Sequence, residues 1–193
     1  MRTRASILLL LMVSFFYIPS VLAAETFEMK EAGISFEIPD NFSRFDKSFR
    51  AAKLENAIVW QGPRKGPYAN QRWEFKFIAK KLIKLDGWGA SQQFEQEYSN
   101  NKANQFYYES VEPMNIQGAM GAYFSKEVIG ANTINIAWHA VAYSYDYRFE
   151  WVFSGEPSTM EEYNMVIQQL LKSVKITAAQ EQPKKKDEFI RDF

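Results

Sequence analysis

The chain has one histidine, His139, and no cysteine. Thiol nucleophiles, thiolate metal sites and redox pairs are therefore excluded. A lone histidine cannot make a multi-histidine metal centre. As a general base it would need a nucleophile and an orienting group within reach. His139 lies on a strand face with Asn135 and Val141, where it reads as a packed or hydrogen-bonded residue. Ser99 and Lys102 match Ser-x-x-Lys, but the companion Ser-Asp-Asn and Lys-Thr-Gly elements are missing, and the match falls at the end of a polar helix. The sequence contains no Gly-x-Ser-x-Gly, His-Glu-x-x-His or phosphate-cradling glycine loop. Paired carboxylates of the glycosidase kind have no support either. Glu95 and Glu97 are two apart and do not share a helix face, and Glu161 is expected to be engaged in a helix cap. No catalytic residues, metal or cofactor are assigned.

Binding chemistry has better candidates. Arg64, Lys65 and Tyr68 sit on a turn-rich loop, Gly62 to Asn70, and could hold an anion or the acidic patch of a partner. Loops carry function disproportionately. Trp60, Tyr68, Trp73 and Trp88 could stack on a sugar, although Trp73 belongs to an apolar row and core packing accounts for the set. Arg72/Glu74/Lys76 and Asp146/Arg148/Glu150 form two charged rows that could pair across strands, at roughly 0.2–1 kcal/mol per pair. Asn41-Phe-Ser43 is a glycosylation sequon in an accessible turn.

Residues 1–23 set the context for these groups. Arg2 and Arg4 precede an apolar run from Ile7 to Ile18, followed by Pro19 and a small-residue end with Val21 and Ala23. This is the pattern of a cleaved signal peptide. The run is shorter than the ~20 residues that span a bilayer, so no integral membrane segment is expected after cleavage. The expected location is periplasmic or secreted. The charge is balanced, 23 basic against 23 acidic residues, which gives no electrostatic case for nucleic acid. An exported chain without disulfides must be stabilised by burial, and 16 Phe, 10 Tyr and 5 Trp supply the apolar area.

The elements that would position these residues follow from periodicity. Thr26–Lys30 and Ile34–Ile38 alternate around Gly33 and predict an N-terminal hairpin. Ala57–Gln61 predicts a strand. Gln71–Lys81 predicts another, with Trp73, Phe75 and Phe77 inward. Ala90–Asn104 predicts a surface helix with Phe94 and Tyr98 on a narrow apolar stripe. Phe106–Glu112, Ala122–Ile129, Thr133–Tyr143 and Tyr145–Phe153 predict an antiparallel meander. Ile134 is placed among the inward residues of the third, and Tyr145 among those of the fourth. Ser158-Thr-Met-Glu161 reads as a capping box opening a helix whose Tyr163, Val166, Ile167, Leu170, Leu171 and Val174 cover a sheet face. The expected organisation is a leader at 1–23, one α+β domain at 24–176 and a mobile charged tail at 177–193 carrying Lys184–Lys186.

Three stretches carry a family pattern: Gly33-Ile-Ser-Phe-Glu-Ile-Pro39, Tyr147-Arg-Phe-Glu-Trp-Val-Phe153, and the helix from Tyr163 closing on Lys172-Ser-Val-Lys-Ile176. Over about residues 26–176 the chain resembles the PsbP-like superfamily, which includes the extrinsic P subunit of photosystem II and the Ran-binding Mog proteins. The resemblance implies an α/β/α sandwich around an antiparallel sheet and non-enzymatic binding or assembly work. It carries over no site residue. The leading expectation is an exported, non-enzymatic protein that binds an envelope protein, of identity unknown, through its surface. A small-molecule or glycan binder is the alternative, and a hydrolase comes third.

Overall fold

The computed structural model describes residues 25–45, 57–67, 71–83 and 89–177. The expected leader, the tail beyond Thr177, Tyr68 and Trp88 lie outside the described residues. In chain order the elements are β1 (Thr26–Met29), β2 (Ile34–Glu37), β3 (Ser43–Arg44), β4 (Ala57–Arg64), β5 (Arg72–Lys81) and α1 (Ala90–Ala103). They continue with β6 (Tyr108–Pro113), β7 (Gly121–Glu127), β8 (Ile136–Tyr143), β9 (Tyr147–Gly155), α2 (Met160–Ser173) and β10 (Lys175–Ile176). Seven strands form one antiparallel sheet in the order β3-β4-β5-β9-β8-β7-β6, and β1-β2-β10 form a second.

Period-2 alternation along β5 and β9 gives the large sheet two unlike faces. Phe75 pairs with Phe153, and Phe77 with Trp151, and all four are fully buried. Trp60 stacks on Phe75 at 4.8 Å, and Phe36 of the small sheet reaches Phe77 at 5.1 Å. The stripe of α2 closes this layer, with Tyr163, Ile167, Leu170 and Leu171 buried. Tyr163 lies flat on Trp73, with ring centroids 4.6 Å apart. The opposite face takes α1, whose Phe94 packs with Tyr123, Val141 and Tyr143. Helices on both sides of an antiparallel sheet make the expected α+β sandwich.

The structure also revises several expectations. The predicted hairpin forms, but it belongs to a separate sheet completed by Lys175 and Ile176. Gly118, at φ +82°, allows that closure: a Cβ there would fall 1.8 Å from the Ile176 carbonyl oxygen. β4 runs on through Gly62 and Pro63 to Arg64, with an irregularity after Gln61. Ile134 is 68 % exposed because pairing of β8 starts only at Ile136, opposite Gly155. Tyr145 and Asp146 are not strand residues. They are the centre of the β8–β9 turn, which the Ser144 N–H closes by donating to the Tyr147 carbonyl at 2.8 Å.

The capping box does not form. Pro157–Thr159 is a 3-10 turn and the helix begins at Met160. The Ser158 hydroxyl donates to Glu156 at 2.7 Å, and Glu161 pairs with Lys126 at 3.1 Å. The buried indole N–H of Trp73 donates to Thr159 Oγ1 at 3.0 Å. The bond ties the turn to β5 and satisfies a buried donor that would cost about 1–3 kcal/mol unpaired.

Leu170 is 2 % exposed. Leu170→Ala is expected to lower stability by about 2–5 kcal/mol, through lost burial plus the cavity left behind. Urea denaturation measures it, and an unchanged midpoint would contradict the packing of α2 on the sheet.

Candidate functional site

α1 is a polar helix, yet Phe94, Glu97, Tyr98 and Asn101 recur at helical spacing on the side facing the sheet. The Glu97 carboxylate enters a polar chamber made by three strands. Arg148 of β9 donates to it from Nε at 2.8 Å and from Nη2 at 2.7 Å. The Tyr123 hydroxyl donates at 2.6 Å, the Tyr143 hydroxyl donates to the second oxygen, and Asn101 donates to the Tyr123 oxygen at 2.8 Å. Arg148 Nη1 also donates to Glu150 at 2.7 Å.

The chain of charges continues. His139 Nδ1 is 3.0 Å from Glu150, and Nε2 is 3.6 Å from Glu127, an ion-pair distance rather than a hydrogen bond. Glu127 in turn accepts the Ala137 N–H at 2.7 Å. Three carboxylates thus face one guanidinium and one imidazole, and each charged group has a partner.

The titration behaviour follows from these contacts. Burial works against ionisation of Glu150, but His139 and Arg148 outweigh it and hold the carboxyl at about 2. Burial likewise opposes the Glu97 charge, and Arg148 with the two tyrosines still brings it below the usual carboxylate range. For His139, burial favours the neutral ring, yet Glu127 and Glu150 raise it to about 9. Burial and the Glu97 charge push both tyrosines up. A base held protonated, and acids held ionised by fixed cations, are poorly suited to proton transfer near neutrality. The arrangement fastens α1 to the sheet.

The sequence-predicted residues lie elsewhere. Arg64 ends β4. Lys65 Nζ is 2.7 Å from Glu162 of α2 and 5.3 Å from the Trp73 ring centroid. Gly66, at φ +86°, lets the loop cross Glu156: a Cβ there would meet its carboxylate oxygen at 2.0 Å. The loop is therefore pinned to the start of α2. Trp60 and Trp73 are buried, so they offer no stacking platform. Lys102 lies 5.6 Å from the Tyr98 ring centroid, and Ser99 is exposed. Asn41 is exposed, at φ +66°. Lys76 pairs with Glu74 on its own strand at 3.5 Å, while Arg148 turns to Glu97 and Glu150, so the two charged rows do not pair with each other. Among the described residues no three or more His, Asp or Glu side chains converge as they would to hold a metal ion. Glu97, Tyr123 and Tyr143 were missed as a set. An acid on the apolar stripe of a polar helix was the available signal.

With this geometry the fold is PsbP-like. The structure of cyanobacterial PsbP (CyanoP) from Synechocystis is similar at a TM-score of 0.53 and 12% identity, covering 82% of this chain and 96% of that one. LpqN, described as involved in cell envelope biogenesis of Mycobacterium tuberculosis, is similar at 0.51 and 11%, over 81% and 86%. A Bacteroides thetaiotaomicron protein matches at 0.53 and 15%, over 80% of this chain but only 49% of its own length. No family model and no curated protein matches the sequence.

The pH dependence of stability tests the polar network. A carboxylate lowered in the folded state, such as Glu150, contributes stability above its unfolded value of ~4.3, and the contribution is lost as pH falls through about 2. Raised His139 behaves oppositely: its contribution is complete below ~6.5 and lost as pH rises through about 9. The urea midpoint should therefore decline as pH rises from ~6.5 to about 9, and His139→Gln should flatten the decline. An unaltered alkaline slope in the variant would contradict the ion pairs.

Proposed function

We propose that this is an exported, non-enzymatic binding or assembly protein that works through its surface in the cell envelope. The observation that carries the reading is the closed polar network. The side chains best suited to chemistry, His139, Glu97, Glu127, Glu150 and Arg148, are bound to one another. The signal-like residues 1–23 support export, and so does the described role of LpqN in envelope biogenesis. Among the described residues no helix is long and apolar enough to cross a membrane.

The partner-binding element in this reading is the loop with Arg64, Lys65 and Tyr68. The Lys65–Glu162 pair has side chains 39% and 51% exposed. An exposed pair of that kind is worth at most ~1 kcal/mol, so a partner's carboxylate can replace Glu162 at small cost. The partner class is a protein with an acidic patch.

Crosslinking in living cells, with mass spectrometry of the envelope fraction, tests the proposal. The wild-type chain should be recovered without residues 1–23 and crosslinked to an envelope protein. Arg64→Glu with Lys65→Glu should lose that crosslink while the chain stays folded, because the exposed Lys65–Glu162 pair that it removes is worth at most ~1 kcal/mol. A chain that keeps Arg2 and remains in the cytoplasm would refute export. A crosslink unchanged in the double variant would refute the loop.

A further inference from the structure

Among the described residues β6 is the last strand of the seven-stranded sheet and pairs with β7 alone, with a register shift between Tyr108 and Ser110. The opposite edge is β3, of 2 residues, whereas β6 has 6. A groove of about 650 Å³ runs along β6, bounded by Lys102 in the last turn of α1, by Gln105 just after it, and by Val128 and Ile129 after β7. One end of it is apolar. The Tyr107 carbonyl accepts from the Val128 N–H at 2.9 Å, which brings Phe106, Tyr107, Val128 and Ile129 together at 80%, 61%, 42% and 57% exposure. Four of the nine exposed large hydrophobics among the described residues are therefore at this corner. Clustered apolar exposure marks interaction surfaces, and an open edge is a template for strand pairing.

The charges along β6 choose the occupant. Glu109 and Glu112 are both exposed, and the single cation of the groove, Lys102, already lies over the Tyr98 ring at 5.6 Å. A second copy paired antiparallel along the whole of β6 would set Glu109 of each copy against Glu112 of the other, and like charges placed opposite destabilise a strand pair. A strand carrying Lys or Arg at those positions gains where the second copy loses.

We infer that the β6 edge takes up an extended segment of another protein, one of apolar residues with two basic residues three apart, as an eighth strand of the sheet. Main-chain hydrogen bonds supply affinity, the apolar corner seats its large side chains, and Glu109 and Glu112 select for basic residues. The inference rests on the surface-binding reading above, but it concerns a different surface from the Arg64 loop.

Three capped six-residue peptides test it on the wild-type chain by amide NMR titration: Val-Lys-Val-Val-Lys-Val, Val-Glu-Val-Val-Glu-Val, and the lysine peptide N-methylated at every residue. The lysine peptide should give saturable shifts at residues 108–113 and 128–129. It should bind at least ten-fold more tightly than either of the others. N-methylation keeps charge and side chains while removing backbone donors, so it discriminates strand addition from side-chain docking. Glu109→Lys with Glu112→Lys should exchange the preference for lysine and glutamate peptides. Shifts centred elsewhere, equal binding of the N-methylated peptide, or no saturation at millimolar concentration would each overturn the inference. Such a failure, with an envelope partner still recovered by crosslinking, would leave the surface-binding reading standing. Retention in the cytoplasm would fail that reading and not this one.

Discussion

Arg148 stands on a strand whose adjacent residue, Phe149, is wholly buried in the aromatic layer. Alternation turns its guanidinium to the opposite face, where α1 covers it. A charge at that depth is tolerated only when paired and hydrogen-bonded, and Glu97 provides the pairing through two parallel hydrogen bonds of the strong, charge-assisted kind. The second apolar cluster under α1 is small: Ala90, Phe94, Tyr123, Val141 and Tyr143. The helix itself buries only Ala90 and Phe94. Its seat on the sheet therefore depends on the Glu97–Arg148 contact far more than α2 depends on any single polar contact, because α2 is held by a broad apolar stripe.

This division of labour shapes what the protein can offer a partner. On the α2 side aromatic packing fills the interior. On the α1 side the polar groups satisfy one another, from Glu97 through Arg148, Glu150 and His139 to Glu127. In the proposed readings recognition falls to the margins: the loop carrying Arg64 and Lys65 at one side of the sheet, and the β6 edge at the other. Both are framed by charge, basic at the loop and acidic at the edge.

Where burial alone decided the outcome, the sequence was readable. The alternating aromatics of β5 and β9, the stripe of α2 and the narrow stripe of α1 all follow from periods of 2 and 3.6 residues. The misses arise where a distant residue overrides a local rule. Ser158 and Glu161 look like a capping box, but Ser158 donates to Glu156 and Glu161 pairs with Lys126, 35 residues away. Lys175 and Ile176 read as the end of a helix until β2 presents an edge for them. Arg148 and Glu150 read as part of a charged row that could pair across strands, because nothing local reveals that Glu97, 51 residues from Arg148 in sequence, closes over it. In the loop, Lys65 was legible as a cation but its contact with Glu162 was not, since the two are 97 residues apart.

The dependence of α1 on one ion pair is open to direct measurement by a double-mutant cycle with Glu97→Ala, Arg148→Ala and the pair together, each followed by urea denaturation. Each single variant leaves the other charge with its remaining partners, Glu150 for Arg148 and the Tyr123 and Tyr143 hydroxyls for Glu97, in a half-buried setting with the two side chains 20% and 23% exposed, so each should lose about 1–3 kcal/mol. The double variant should lose much less than the sum, with a coupling of ~1.5 kcal/mol or more, inside the range for residues in contact. Losses that simply add would contradict the account, because Glu97 and Arg148 would then stabilise the protein independently and α1 would be held by something else.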